Sequence, residues 1–112
     1  MRNITYEEFE RVNLCSGTIT KAEEFARAKK PAFKVWVDFG PEIGILQTSA
    51  QVTKHYTIET LVGRQVVGCV NLEEKNIAGF LSQFLLVGFA DENGGICLIT
   101  VDPKVHNGQK MC

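Results

Sequence analysis

FKVWVDFG, residues 33–40, alternates without a break: Phe33, Val35, Val37 and Phe39 fall on one side, Lys34, Trp36 and Asp38 on the other. A period of two specifies a strand with one face in a core. The turn GPE (40–42) leads into a second extended run, IGILQTS (43–49), so the two predict an antiparallel pair. Working outward, residues 12–25 are rich in β-branched side chains around Gly17, which predicts a long bent strand with a bulge or barrel corner at the glycine. The basic loop FARAKKPA (25–32) separates that strand from the quoted one, and Pro31 stops regular structure within it. Thr5 followed by Glu8 is a capping-box pattern, and Phe9 and Val12 share a helical face, predicting a short N-terminal helix of about two turns.

Downstream, AQVTKHYTIETLVG (50–63) predicts a helix broken near Thr57 and stopped by Gly63. RQVVGCVN (64–71) reads as a buried fourth strand and SQFLLVGFA (82–90) as a fifth. DENGG (91–95) is a hairpin turn into ICLITV (96–101), and the tail DPKVHNGQK (102–110) has two turn signals around one extended piece. Three strands, a helix and further strands, the first kinked by glycine, give an all-β-dominated fold. The expected architecture is a five-stranded OB-fold barrel with a short N-terminal helix, a helix between strands three and four and a C-terminal β extension. Pattern alone also fits another small β-barrel.

The 112 residues suffice for one domain, spanning 1–112, with a single core. A net charge of −1 supplies no global attraction to nucleic acid or anionic lipid, so such binding must come from local patches. No apolar run approaches the roughly 18 residues that cross a bilayer, so no membrane insertion is expected. MRNITYEEFERV at the start has no apolar signal core, which predicts a cytoplasmic protein. Cys15, Cys69, Cys97 and Cys112 are widely spaced with no close pair, so the spacing predicts reduced thiols and no metal site. Cys69 and Cys97, inside strand patterns, read as small hydrophobes. There is no Gly-rich phosphate loop and no nucleophile elbow, and His55 and His106 have no partner nearby in sequence. The chain reads as a non-enzyme without a cofactor.

KPAFKVWVDFG, IGILQTSAQVTKHYT, LVGRQVVGCVN, IAGFLSQFLLVG and the closing HNGQK together resemble the CsaA-like branch of the tRNA-binding-domain family. The resemblance runs from about Tyr6 to Lys110 with its segments in the family's order. It implies an OB-fold homodimer that binds tRNA, unfolded or precursor polypeptides, or both, as an export-related chaperone. The alternative is an RNA-binding or tRNA-handling accessory module with no chaperone role. The expected dimer interface is the N-terminal helix, the segment from about Val101 and part of the outer barrel face.

In such a barrel the ligand groove lies between the loop joining strands one and two and the connection between strands four and five, here NLEEKNIAGFLSQ (71–83). The resemblance implies a Pro-Pro-Arg-type turn in relatives where this chain has Glu73-Glu74-Lys75-Asn76, Ser-Glu where it has Ser82-Gln83, and often a basic residue at Leu81. The rim is therefore expected to be poorer in positive charge. Candidate RNA contacts are Lys29, Lys30 and Lys34, which with Arg27 put four of twelve basic residues within eight positions, and Lys54, Asn71, Lys75 and Ser82. Candidate polypeptide contacts are Trp36, Phe80 and Leu81. Each has a plainer alternative: a solvated basic loop, a Lys54-His55-Tyr56 cluster complementing a helix dipole, a Trp36 covered by a second subunit, and Ile77 and Phe80 plugging the barrel end. Ser49-Ala50-Gln51 suits a helix cap as well as a ligand contact.

Overall fold

A computed structural model describes all of residues 1–112. Strands β1 (Leu14–Glu24), β2 (Phe33–Asp38) and β3 (Ile45–Ala50) form an antiparallel meander. The first half of β1 also pairs with β4 (Gln65–Cys69), which carries the short β7 (Leu85–Leu86), giving the order β3-β2-β1-β4-β7. The open edge of β3 nearly closes the barrel through the segment before β7. Gln83 N donates to Gln47 O at 2.8 Å, and the Thr48 hydroxyl donates to Phe84 O at 2.7 Å. This is the expected five-stranded OB-like barrel.

The alternation in β2 decides the core as read: Val35, Val37 and Phe39 are fully buried, together with Ile19, Leu61 and Val66 from neighbouring elements. Phe39 meets Phe84 edge-on, ring centroids 5.0 Å apart. Gly17 serves packing rather than the bulge: a Cβ there would lie 2.5 Å from Val37 Cγ1. The bulge comes later, where pairing with β2 shifts between Ile19 and Lys21.

The capping box of Thr5 and Glu8 is formed, but helix α1 covers only Tyr6–Glu10 and buries no residue. The helix expected over 50–63 shrinks to one turn, α2 (Ile58–Leu61), while residues 51–57 are irregular and turn. Val52, Thr53, Tyr56 and Thr57 are poor helix formers. Thr57 caps α2 instead, accepting from Thr60 N at 3.2 Å. Gly63, with φ +91°, ends it as expected.

The connection after β4 is a hairpin of its own, β5 (Lys75–Ile77) and β6 (Phe80–Ser82), with Ile77 opposite Phe80. Its two turn residues, Ala78 (φ 48°) and Gly79 (φ 86°), both lie at positive φ, the requirement of a two-residue I′-type turn. The fifth strand is also divided, because Val87 changes partners: its N–H bonds Val67 O while its carbonyl accepts from Ile99 N. Beyond it, β8 (Gly88–Ala90) and β9 (Ile96–Leu98) flank the expected DENGG turn.

Residues 106–111 then run along the free edge of β1. Gly108 N donates to Ser16 O, Ser16 N to Gln109 O and Met111 N to Leu14 O, at 2.7–2.9 Å. The Ser16 hydroxyl donates to His106 O at 2.8 Å. All four cysteines are free; Cys69 is buried as read, and so is Cys15, but Cys97, read as a small strand hydrophobe, is exposed. Burial pushes the Cys15 thiol pKa up. No helix is long and apolar enough to cross a membrane.

Candidate functional site

A groove of about 950 Å³ lies between the β1–β2 loop, the end of β3, hairpin β5–β6 and the near side of β8–β9. Arg27, Lys29 and Lys30 rise on the loop side, and Lys75 enters from the first position of β5. Ten of the eighteen lining residues are hydrophobic, among them Val52, Ile77, Leu86 and Ile96, and no Asp or Glu lines the groove. Four unneutralised cations around an apolar floor make a local positive field on a chain whose net charge is −1. Loop and hairpin approach closely: a Cβ on Gly79 would be 3.8 Å from the Arg27 guanidinium.

The structure gathers Lys29, Lys30 and Lys75 here, with Ser49, Ala50 and Gln51. Glu73 and Glu74 are exposed but are not among the lining residues, so their carboxylates do not face the groove. Lys34 does not line it either. Its ammonium sits over the rings of Phe25 and Phe80, 5.0 and 5.1 Å from their centroids. Phe80 stands between Phe25 and Trp36, with centroids at 5.6 and 5.8 Å, both edge-on. Lys21 covers the Trp36 ring at 4.6 Å. Trp36 is therefore half-buried under this cap, and Phe80 fastens the hairpin to β2. Leu81 is 38% exposed, while its carbonyl accepts from the Gln47 amide at 2.9 Å.

The remaining candidates hold the fold. The Ser82 hydroxyl accepts from Ser49 N at 3.0 Å, joining β6 to β3. Asn71 donates to Arg11 O at 2.6 Å and accepts from Asn13 N at 3.0 Å, tying the entry of β1 to the end of β4. Lys54 donates to Asn93 O at 2.8 Å, His55 Nε2 meets Asp91 Oδ2 at 2.5 Å, and the Tyr56 hydroxyl accepts from Leu98 N at 2.8 Å. This cluster precedes α2 and secures β8–β9; it does not complement the helix dipole. The His55 contact, with the Gly95 N–H, holds the Asp91 carboxyl below the usual carboxylate range.

Sequence reading gave no role to Lys21 or to the apolar floor. The alternation Lys75-Asn76-Ile77 and Phe80-Leu81-Ser82 around Ala-Gly was the available signal for the hairpin that carries Lys75 and Ile77.

Residues 14–110 match the family described as "Putative tRNA binding domain". The fold superposes on the crystal structure of the chaperone CsaA from Bacillus anthracis str. Ames with TM-score 0.92 and 40% identity, covering 99% of this chain and 100% of that one. The CsaA chaperone protein from Picrophilus torridus superposes with TM-score 0.92 at 34% identity, covering 98% and 100%. The methionine–tRNA ligase of Chlorobium chlorochromatii is 35% identical over 108 residues, 96% of this chain but only 15% of the ligase's length. A family match over residues 14–110, together with superposition along almost its whole length, makes the chain a member of the tRNA-binding-domain family, in its CsaA-like branch.

Proposed function

We propose that the chain binds tRNA, without a catalytic step, in the groove between the β1–β2 loop and hairpin β5–β6. The observation that carries this reading is the lining itself: Arg27, Lys29, Lys30 and Lys75 with no carboxylate among them. Phosphates supply the charge that those cations lack, and each contact releases counterions, so affinity falls with salt by a slope of about −0.7 per contact on single strands. The tRNA partner implies work in the cytoplasm.

Unfolded polypeptide is a second occupant, supported by the apolar floor, which suits side chains of an extended segment. The chaperone named in the structural relatives agrees with it. A homodimer completes the reading. Helix α1 buries nothing in its own chain, and Ile4, Tyr6 and Val12 around it are exposed, as is Met111 from the tail. Lys110 ties that tail to α1 by donating to Glu10 O at 2.6 Å, so both segments offer exposed apolar side chains to a second copy. Light scattering should return twice the chain mass.

Anisotropy titrations with bulk tRNA and with an unfolded polypeptide, each at two salt concentrations, test the groove. The tRNA slope should be near −2 to −3, and the variant R27A/K29A/K30A/K75A should lose most of both slope and affinity. Polypeptide binding should respond weakly to salt. A quadruple variant that binds tRNA as tightly as the parent would remove the groove from the reading.

A further inference from the structure

At the turn end of hairpin β8–β9, three side chains of different chemistry converge outside the groove lining. His55 comes from the irregular segment before α2, Asp91 from the first turn position after β8 and Cys97 from β9. Their donor atoms all lie within 4.8 Å of one another. We propose that they form a zinc-class metal site, with three protein ligands and water as the fourth.

The donor set points to the ion. Imidazole, thiolate and carboxylate together suit a borderline divalent metal such as Zn²⁺, whereas Ca²⁺ and Mg²⁺ prefer oxygen alone. The carboxylate is already oriented from behind. Asp91 Oδ1 accepts from Asn93 N at 2.9 Å and Gly95 N at 2.8 Å, which leaves Oδ2 directed at His55. Such outer hydrogen bonds fix first ligands in metal centres. Gly95 leaves room for the imidazole: a Cβ there would lie 2.6 Å from His55 Nε2.

Access and charge agree. The His55 and Asp91 side chains are 43% and 30% exposed, so an ion can enter from solvent. The His55–Asp91 separation of 2.5 Å must widen to about 3.3 Å, the edge of a tetrahedron with bonds of about 2.0–2.1 Å. The exposed imidazole can swing that far. On binding, His55 coordinates as the neutral imidazole with its proton on the ring nitrogen away from the ion, and the thiol proton of Cys97 leaves to solvent. A dication held by carboxylate, thiolate and neutral imidazole is then electrically balanced. The ion would pin residues 51–57 to the hairpin that contributes Gly94 and Ile96 to the groove wall.

The alternative is a His–Asp contact beside an uninvolved thiol, and cobalt separates the two. Chelator-treated, reduced protein titrated with Co²⁺ should take up one equivalent, with thiolate-to-cobalt charge-transfer absorption and the strong visible bands of a four-coordinate ion. One equivalent of Zn²⁺ should bleach them. Cys97→Ser should abolish the charge-transfer band and weaken zinc binding about 10- to 100-fold or more, as should His55→Ala. Cys112→Ser should change nothing. Absence of the band in the parent, or a band that survives Cys97→Ser and vanishes in Cys112→Ser, overturns the site. No RNA is present in the experiment, so its outcome is independent of the tRNA reading.

Discussion

Hairpin β5–β6 hangs on the barrel through neutral hydrogen bonds and aromatic contacts, whereas hairpin β8–β9, across the same groove, is tied down by polar side chains, among them Lys54 and the His55–Asp91 pair. The first is held by Gln47 and Ser49 on the β3 edge and by Phe80 wedged between Phe25 and Trp36. The second is held by Lys54 on Asn93 O, His55 on Asp91 and Tyr56 on Leu98 N. Exposed charged contacts weaken with ionic strength, and contacts between packed rings do not. One wall of the groove is therefore constant, while the other responds to the solution around it.

The largest effect should come from removing the apolar wedge. Phe80→Ala strips both edge-on ring contacts and one face from under Lys34, which for a half-buried phenylalanine should cost about 2–3 kcal/mol. Urea unfolding measures it; a loss below about 0.5 kcal/mol would mean that the hairpin is not held by its rings. Next in size is Tyr56→Phe, which deletes the acceptor of Leu98 N–H at a part-buried site and should cost about 1 kcal/mol. Hydrogen exchange should rise at Leu98 and its hairpin neighbours while β5–β6 keeps its protection. Equal loosening of both hairpins would erase the contrast. The smallest change has the opposite sign. Ala78→Gly relieves a side chain at φ 48°, and after the entropy cost of glycine it should stabilise β5–β6 by about 0.5 kcal/mol, read as a small rise in unfolding midpoint.

The barrel was legible because its signals are local. Alternation in residues 33–39 and the dense cations of 27–30 need no distant partner to be read. What escaped depends on such partners or on unusual backbone. Ala78 adopts a conformation that its residue type does not advertise, so the groove-rim connection read as a crossing without strands of its own. Lys34 sits within the basic run, yet its strand face meets Phe25 and Phe80, which removes it from the groove. Asn71 ends a strand in the family's rim segment, but the chain entering β1 passes beside it and takes both ends of its amide. His55 and Asp91 are 36 positions apart, so a rule requiring close ligand pairs could not find them.

The pairing of residues 106–111 with β1 has a consequence in time. The Ser16 hydroxyl and its tail acceptors are separated by 90 and 93 positions. During synthesis at about 5–20 residues per second, that flank of β1 stays bare for roughly 5–20 s after the strand itself has been made. An unpaired strand edge is a template for another chain's strand. For this domain the hazard of misassociation belongs to the nascent chain, and it ends when the tail arrives.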